Sequence, residues 1–349
     1  MLTVTCSFAA CGKDADTVND QVTADVTADD NAAADTVTEA EEDVQDDAPE
    51  GFYHSELTNE LIDESLKDQR PIAAMIDNEL YALPHYGLSE NADVVYEMMN
   101  STANGRITRF MVLVKDWEKI EQLGSIRSVR PTNLILAAEW NAVVCHDGGP
   151  FYIDEYLAHP WTDHFSGTFS RVNNGKPREY TEYIVSGDLD RNFSSTGVSA
   201  TYTQYYEGAH YKFANDAIEA ASIDLPFPHN GSYLEYDESE QVYKYSEYGK
   251  AHVDPGNDNA QLAFKNLLLQ SCDFEQLDEH GYMIYNCIAS NQDGYYVTNG
   301  EAIPITWTKT TETSPTRYYD MSGNEIKINT GKTYVALVPS DSWDELEIK

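Results

Sequence analysis

Basic residues are scarce in this chain. Its 349 residues include 22 lysines and arginines against 60 aspartates and glutamates, which gives a formal net charge of −38 at pH 7. A nucleic-acid-binding surface must neutralise phosphates with basic side chains, so this composition argues against nucleic acid as a partner. Anionic headgroups would repel the same surface, and contact with a membrane therefore needs a covalent or hydrophobic anchor.

Long hydrophobic runs and common catalytic motifs are also missing. No stretch approaches the roughly 18–20 apolar residues that cross a bilayer as a helix. The nucleophile pattern Gly-x-Ser-x-Gly is absent. The spacing of His159 and His164 matches no common zinc pattern, so the sequence predicts neither a metal site nor a cofactor.

The amino terminus reads as the end of a secretory signal peptide, with a short apolar run, small residues and then a cysteine. Residues 8–11, Phe-Ala-Ala-Cys, resemble the bacterial lipobox, whose cysteine receives a diacylglyceryl group. We therefore expect lipidation of Cys11, with fatty acyl chains such as palmitate anchoring the protein outside the bacterial cell membrane. Residues 1–11 are then the remnant of a signal peptide.

The next segment is strongly acidic. Residues 12–50 contain 14 acidic residues, one basic residue and no aromatic residue. Such a segment cannot bury enough apolar surface to offset its ordering entropy. We predict a disordered acidic linker over 12–55, which would hold a folded body clear of the headgroups.

Strand and helix patterns then alternate. Proline followed by helix formers predicts a helix over 131–141, and 212–223 also has a helical pattern. From residue 232 onward, short alternating segments separated by turn residues predict an antiparallel β unit. The predicted fold class is α+β, with an amino-terminal α/β-type domain of mixed sheet and helices over 56–225 and a carboxy-terminal antiparallel β domain over 226–349. Short apolar runs predict strands at 70–77, 92–99, 107–114 and 142–150.

Two cysteines in the second half lie symmetrically about a predicted turn at 278–281. In a simple hairpin Cys272 and Cys287 would face each other across the strands, close enough to form a disulfide. A bulge at Gly281 would shift the register and prevent it. Both alternatives stand.

Four of the nine arginines lie in the window 106–130. Guanidinium groups bind carboxylate or phosphate through paired donors, and ligands in open α/β sheets bind beyond the carboxyl ends of strands, where Asp77 and Asn78 lie. We predict an arginine-lined anion-binding cleft there. The alternative is that Asp77 and Glu97 simply neutralise these arginines inside the domain. The predicted ligand-binding residues are Asp77, Asn78, Arg109, Arg127, Arg130, His146 and Arg317.

Two of these residues lie outside the arginine window. His146 follows a strand and precedes Asp147, so it is either a general base or a turn histidine bonded to its neighbours. Arg317 is the only arginine after Arg191. It either docks against the acidic first domain or completes a site between the domains.

Several segments, in the same order along the chain, resemble the YerB-like lipoprotein family, bacterial envelope proteins of unassigned function. They include "RPIAAMIDN", "GRITRFMVLV", "GSIRSVRP", "HVDPGNDNAQLAFKNLL" and "GKTYVALVP". The resemblance covers most of 70–159 and 229–339. It implies an α/β-type domain, a β domain and lipid attachment, and it brings no established activity.

The sequence thus indicates an extracytoplasmic lipoprotein, held at the membrane by its lipid. The leading hypothesis is a non-enzymatic binding or scaffolding protein that recruits a polymer or protein of the cell envelope. The competing hypothesis is a hydrolase or transferase acting on cell-wall glycan or peptide, with Asp77, Glu97 and His146 as its catalytic residues.

Overall fold

The computed structural model describes residues 48–202 and 217–349. The predicted lipidation residue Cys11 and most of the predicted linker lie outside the described residues. The first strand, Phe52–His54, pairs with Leu61–Asp63 and lies within the range 12–55. The folded part therefore begins earlier than Glu56, because Tyr53 is buried in this strand pair.

The strands of the first half are short, apart from three that lie in the middle of a sheet. In chain order, the strands of the first half are β1 Phe52–His54, β2 Leu61–Asp63, β3 Ile72–Asp77, β4 Val94–Met99, β5 Thr108–Val114, β6 Gln122–Gly124, β7 Val143–His146, β8 His164–Ser166, β9 Ser170–Arg171 and β10 Glu182–Val185.

The second half is built of strands joined by turns. They are β11 Ile218–Glu219, β12 Ser222–Asp224, β13 Tyr233–Asp237, β14 Val242–Glu247, β15 Lys250–Ala251, β16 Val253–Asp254, β17 Ala260–Gln261, β18 Ala263–Phe264, β19 Asn266–Cys272, β20 Phe274–Gln276, β21 Met283–Tyr285, β22 Ala289–Thr298, β23 Glu301–Lys309, β24 Arg317–Asp320, β25 Thr333–Pro339 and β26 Glu347–Ile348.

The α-helices of the described residues are short and belong to the first half. Among the described residues, no helix is long and apolar enough to cross a membrane. The α-helices are α1 Leu88–Asn91, α2 Pro131–Ala138, α3 Asp154–Leu157 and α4 Asp188–Thr196, and 3-10 turns occur at Glu64–Leu66, Trp117–Lys119, Phe151–Ile153, Arg178–Tyr180 and Ser340–Glu345.

The predicted α+β fold class is confirmed. The first half contributes a mixed sheet in the order β4-β5-β3-β7-β8, and the second half is dominated by antiparallel pairs. The largest sheet continues from one half into the other, because β25 lies parallel to both β19 and β4. A second antiparallel sheet, in the order β15-β14-β13-β12-β26, belongs to the second half. The boundary proposed at residue 225 stays a prediction.

The predicted strands of the first half are confirmed as β3, β4, β5 and β7, and the predicted helix is α2. Consecutive side chains of β3 point to opposite faces of the sheet. Ile72, Ala74 and Ile76 pack into one hydrophobic core, and Ala73 and Met75 pack into another. This alternation decides which polar side chains can meet at the strand ends.

The helix predicted over 212–223 is wrong for the described residues of that range. Residues 218–219 and 222–224 are strands, with Ile218 paired to Ala302 and Ile223 to both Leu234 and Ile348. Pairing with neighbouring strands overrides the helix propensity of alanine and glutamate here. Helix α4 was not predicted, because its exposed face is rich in serine and threonine.

The predicted hairpin register is present, but the disulfide is not. Strands β20 and β21 pair Phe274 with Tyr285, which is the register expected for a turn at 278–281. Cys272 and Cys287 are nevertheless buried free thiols. Cys272 already belongs to β19, where it pairs with Pro339 in the large sheet, so the hairpin ends before reaching it.

Candidate anion-binding site

The arginines gather at the end of β3. Asp77 is the last residue of this strand, and Arg109 in β5 is its register partner. The segment leading into α2 runs beside the same strand, because the Arg127 N–H donates to the Met75 carbonyl at 2.9 Å. Arg130 is the N-cap residue of α2. The three arginines are thereby gathered beside the end of β3.

Arg127 is neutralised within the structure. Its Nε lies 2.6 Å from Oδ2 of the fully buried Asp77, and its Nη1 lies 3.4 Å from Oε2 of Glu179. Its guanidinium also lies over the ring of Tyr180, 5.3 Å from the ring centre. Arg127 therefore fits the alternative prediction, in which carboxylates neutralise the arginines inside the domain.

Arg109 and Arg130 are held by neutral oxygens. Arg109 Nη1 donates to the Ser128 carbonyl at 2.7 Å, to Ser128 Oγ at 3.0 Å and to Asn100 Oδ1 at 3.2 Å. Arg130 Nε donates to the Asn100 carbonyl at 3.2 Å. Arg130 Nη1 donates to the Val129 carbonyl at 2.9 Å and to Ser128 Oγ at 3.2 Å. The two side chains therefore share Ser128 and Asn100.

Within the part of the chain that the structure describes, neither guanidinium has a carboxylate within 4.0 Å. Both residues are more than nine-tenths buried, and Arg109 Nε has no acceptor among the described residues. Burial, together with the charge of Arg109, lowers the pKa of the Arg130 guanidinium to about 9. Burial also lowers the pKa of Arg109. Two buried positive charges without a carboxylate in direct contact are costly, and a bound anion would relieve that cost.

A row of aromatic rings leads outward from these arginines. The Arg130 guanidinium lies 5.1 Å from the ring centre of Tyr282, and the ring of Tyr152 lies 6.2 Å from that of Tyr282. Phe151, 70% exposed, lies 4.0 Å from Tyr152. A ligand longer than a single ion would find rings to stack on along this path.

Glu97 does not join the arginines. It pairs with Phe110 in β5, next to Arg109 along the strand, so its side chain points to the opposite face of the sheet. There its carboxylate accepts hydrogen bonds from six neutral groups. The donors are Asn78 Nδ2, Thr108 Oγ1, Asn230 Nδ2, Ser232 Oγ, Tyr245 OH and Tyr334 OH.

His146 and Arg317 have partners of their own. His146 Nε2 lies 3.0 Å from His164 Nδ1, and its Nδ1 lies 2.8 Å from the Gly148 carbonyl. Burial lowers the pKa of His146 to about 4, so its ring is neutral near pH 7. The exposed Arg317 forms an ion pair with Glu325 at 2.7 Å. In the described residues no hydrogen bond or ion pair joins His146 to Asp77 or Glu97.

The sequence did not indicate Asn100 or Tyr282. Asn100 follows β4 directly, so the rule that selected Asp77 at the end of β3 would have selected Asn100 at the end of β4. Tyr282 lies in a hairpin of the second half, and no local pattern relates it to Arg130. Only the fold brings these two residues to the arginines.

Both halves of the chain are similar to known proteins. Residues 57–199 match the family described as "Protein of unknown function (DUF3048) N-terminal domain", and residues 223–335 match its C-terminal domain. The curated "Putative lipoprotein YerB" of Bacillus subtilis (strain 168) is 22% identical over 296 residues, which is 82% of this chain and 84% of that protein. The chain belongs to the YerB-like family.

A solved structure agrees with this assignment. The crystal structure of YerB protein from Bacillus subtilis matches with a TM-score of 0.74 and 20% sequence identity, and the match covers 84% of this chain and 99% of that one. This chain therefore has the fold of that YerB-like protein. The predicted resemblance to the YerB-like family is confirmed.

Proposed function

We propose that this YerB-like chain is a lipid-anchored extracytoplasmic protein that binds an anionic polymer of the bacterial cell envelope through Arg109 and Arg130. The observation that carries the proposal is the pair of buried guanidinium groups without a carboxylate partner among the described residues. Guanidinium groups bind phosphate or carboxylate through parallel N–H donors.

A polymer suits the site better than a free ion. The aromatic row of Tyr282, Tyr152 and Phe151 extends from Arg130 toward solvent, and its outermost ring is largely exposed. Sugar or glycerol units next to a bound acidic group would lie against these rings. A binding or scaffolding role follows, in which the protein holds an envelope component at the membrane surface.

The hydrolase or transferase alternative has no comparable support. Its residues Asp77, Glu97 and His146 have different partners, namely Arg127, a set of neutral donors and His164. Asp77 and Glu97 also point to opposite faces of the sheet. An acid and a base acting on one bond must reach the same substrate atoms.

Lipid attachment is supported by the lipobox-like residues before Cys11 and by the relative named as a lipoprotein. In a bacterial host, we expect the wild-type chain to incorporate labelled palmitate and to sediment with membranes. Cys11→Ser should abolish the label and release the protein, because the acyl chains on this cysteine are the proposed anchor. Cys6→Ser is the matched control and should leave both unchanged. Membrane retention of an unlabelled Cys11→Ser protein would contradict the anchor.

Anion binding can be measured by calorimetric titration of the full chain carrying Cys6→Ser and Cys11→Ser. We expect binding to poly(glycerol phosphate) or to poly-glutamate, and none to a neutral glucan. Arg109→Gln and Arg130→Gln should each weaken binding by about tenfold or more, which corresponds to about 1.4 kcal/mol.

The control is Arg191→Gln, which removes the same charge from the exposed face of α4 and should bind as the parent does. A stability measurement separates binding from structural roles. Removing a buried, uncompensated charge should leave the unfolding temperature of Arg130→Gln equal to the parent value or above it. Equal polymer binding by the folded Arg109→Gln and Arg130→Gln variants would overturn the proposal.

A further inference from the structure

His85, Glu247 and His252 form a buried cluster on the opposite side of β3 from the arginines. The three residues are 0%, 2% and 4% exposed. One potential metal-ligand atom from each lies within 4.8 Å of the other two, and the described part of the chain contains no other such group. His85 follows β3, Glu247 ends β14 and His252 precedes β16, so the cluster joins the two halves of the chain.

The hydrogen bonds of His85 leave one of its nitrogens with a free lone pair. His85 Nε2 lies 2.5 Å from the Asp77 carbonyl oxygen, which can only accept, so Nε2 carries the proton. Nδ1 of the neutral ring is then unprotonated and faces His252 Nε2 at 3.1 Å. A backbone carbonyl that fixes the tautomer in this way is the usual partner of a metal-binding histidine.

His252 presents Nε2 to His85 and Nδ1 to Glu247, whose Oε1 lies 3.4 Å away. In the tautomer that carries its proton on Nδ1, the lone pair of His252 Nε2 faces that of His85 Nδ1 across 3.1 Å, and a cation between the two nitrogens removes their repulsion. Two nitrogens bound to one tetrahedral zinc ion at about 2.0–2.1 Å are roughly 3.3 Å apart, close to the observed separation.

Several buried polar atoms around this point make no hydrogen bond with a described residue. They include Glu247 Oε1 and His252 Nδ1 themselves, and the side-chain oxygens of Asn78 and Asn230. Asn230 Nδ2 bonds to Glu247 Oε2 at 3.3 Å, which places this amide beside the cluster. Unpartnered buried polar atoms are rare, and a cation is one group that would satisfy such a set.

The charge balance also favours a cation. Glu97 and Glu247 are both buried, and in the described chain neither has a lysine or arginine within 4.0 Å. A divalent ion bound at the cluster would have these two carboxylates to balance its charge.

We propose that His85, His252 and Glu247 bind one divalent transition-metal ion. Two imidazoles and one carboxylate are a ligand set suited to zinc, and all three residues are buried. The ion would connect the segment after β3 to the second-half sheet. It would thereby stabilise the contact between the two halves.

The test uses the full chain carrying Cys6→Ser and Cys11→Ser, purified without added metal. We expect about one zinc ion per chain by plasma mass spectrometry and a fall in unfolding temperature with a zinc chelator, reversed by added Zn²⁺. Glu247→Gln and His252→Gln should lose stoichiometric zinc and the response to both reagents. These readouts do not involve the arginine site, so either proposal can fail alone.

His164→Gln is the matched control. His164 and His146 also have nitrogens 3.0 Å apart, yet they belong to no three-ligand cluster in the described residues, so zinc content should be unchanged. If Glu247→Gln and His252→Gln do not fold, the proposal is tested on the protein with the unaltered site, by the response of its unfolding temperature to the chelator. The proposal is overturned if that protein holds no zinc, manganese, iron, cobalt, nickel or copper and its unfolding temperature responds to none of them. Zinc retained by folded His252→Gln would also overturn it.

Discussion

Replacing Glu97 with alanine is expected to lower the free energy of unfolding by about 4 kcal/mol or more, the largest effect of any single substitution proposed for this protein. The carboxylate is fully buried and accepts hydrogen bonds from six side chains in both halves. Alanine would leave several buried amides and hydroxyls without an acceptor and would open a cavity. Each unsatisfied buried donor costs about 1–3 kcal/mol, although the neighbours can relax to reduce the sum.

Urea unfolding followed by tryptophan fluorescence measures this change. Tyr334→Phe removes one donor, bonded at 2.6 Å, and should cost only about 1–2 kcal/mol. Glu235→Ala, on an exposed face of β13, is the matched control and should stay within about 0.5 kcal/mol of wild type. A Glu97→Ala protein as stable as Glu235→Ala would show that the buried donors have other acceptors available.

Lys115→Ala is expected to cost about 3–5 kcal/mol, the usual consequence of removing one partner of a buried ion pair. Lys115 Nζ lies 2.6 Å from Glu56 Oε1, with side chains 2% and 7% exposed. The ammonium also donates to the Gln69 carbonyl and lies 4.5 Å from the ring centre of Tyr202. Alanine would leave the Glu56 carboxylate buried without its cation.

Chemical unfolding of single and double variants separates the charge from the packing. Lys115→Met combined with Glu56→Gln removes both charges, and should recover part of the stability that Lys115→Met alone loses. Lys119→Ala is the control, because Lys119 is 78% exposed beside Asp116 and a surface ion pair contributes at most about 1 kcal/mol. A loss from Lys115→Ala as small as that from Lys119→Ala would contradict the expectation.

Much of the first-half fold could be predicted from the sequence, because its central strands are buried on both faces. Such strands appear as continuous apolar runs, as at Ile72–Asp77 and Thr108–Val114. The segment at 218–224 could not be predicted in this way. Its composition favours a helix, and its strand state depends on partners near residues 234, 302 and 348.

The candidate site was predicted in part. The arginines that cluster in the sequence also cluster in the structure. Arg127 and Arg130 lie in the segment that leads into α2, and this segment runs beside the end of β3 at Asp77. The separation of Glu97 from Asp77 depends on strand register. Arg109 pairs with Asp77 and Phe110 pairs with Glu97, and neighbouring residues of one strand face opposite sides. The register of β3 and β4 against β5 cannot be read from the sequence alone.

The metal cluster illustrates the same limit over a longer distance. His85 and His252 are 167 positions apart, and each occurs as an isolated histidine without a partner at metal-binding spacing. Motif reasoning detects ligands that share one loop or helix. Ligands assembled from distant segments become visible only in the folded chain.

The position of β25 has a consequence for how the protein is made. This strand follows both of its partners along the chain, yet it fills the gap between β4 of the first half and β19 of the second. A nascent chain therefore cannot close its central sheet until residue 339 has been synthesised. Until then β4 keeps one unpaired edge, and a truncation before residue 333 would leave that edge open to pairing with other chains.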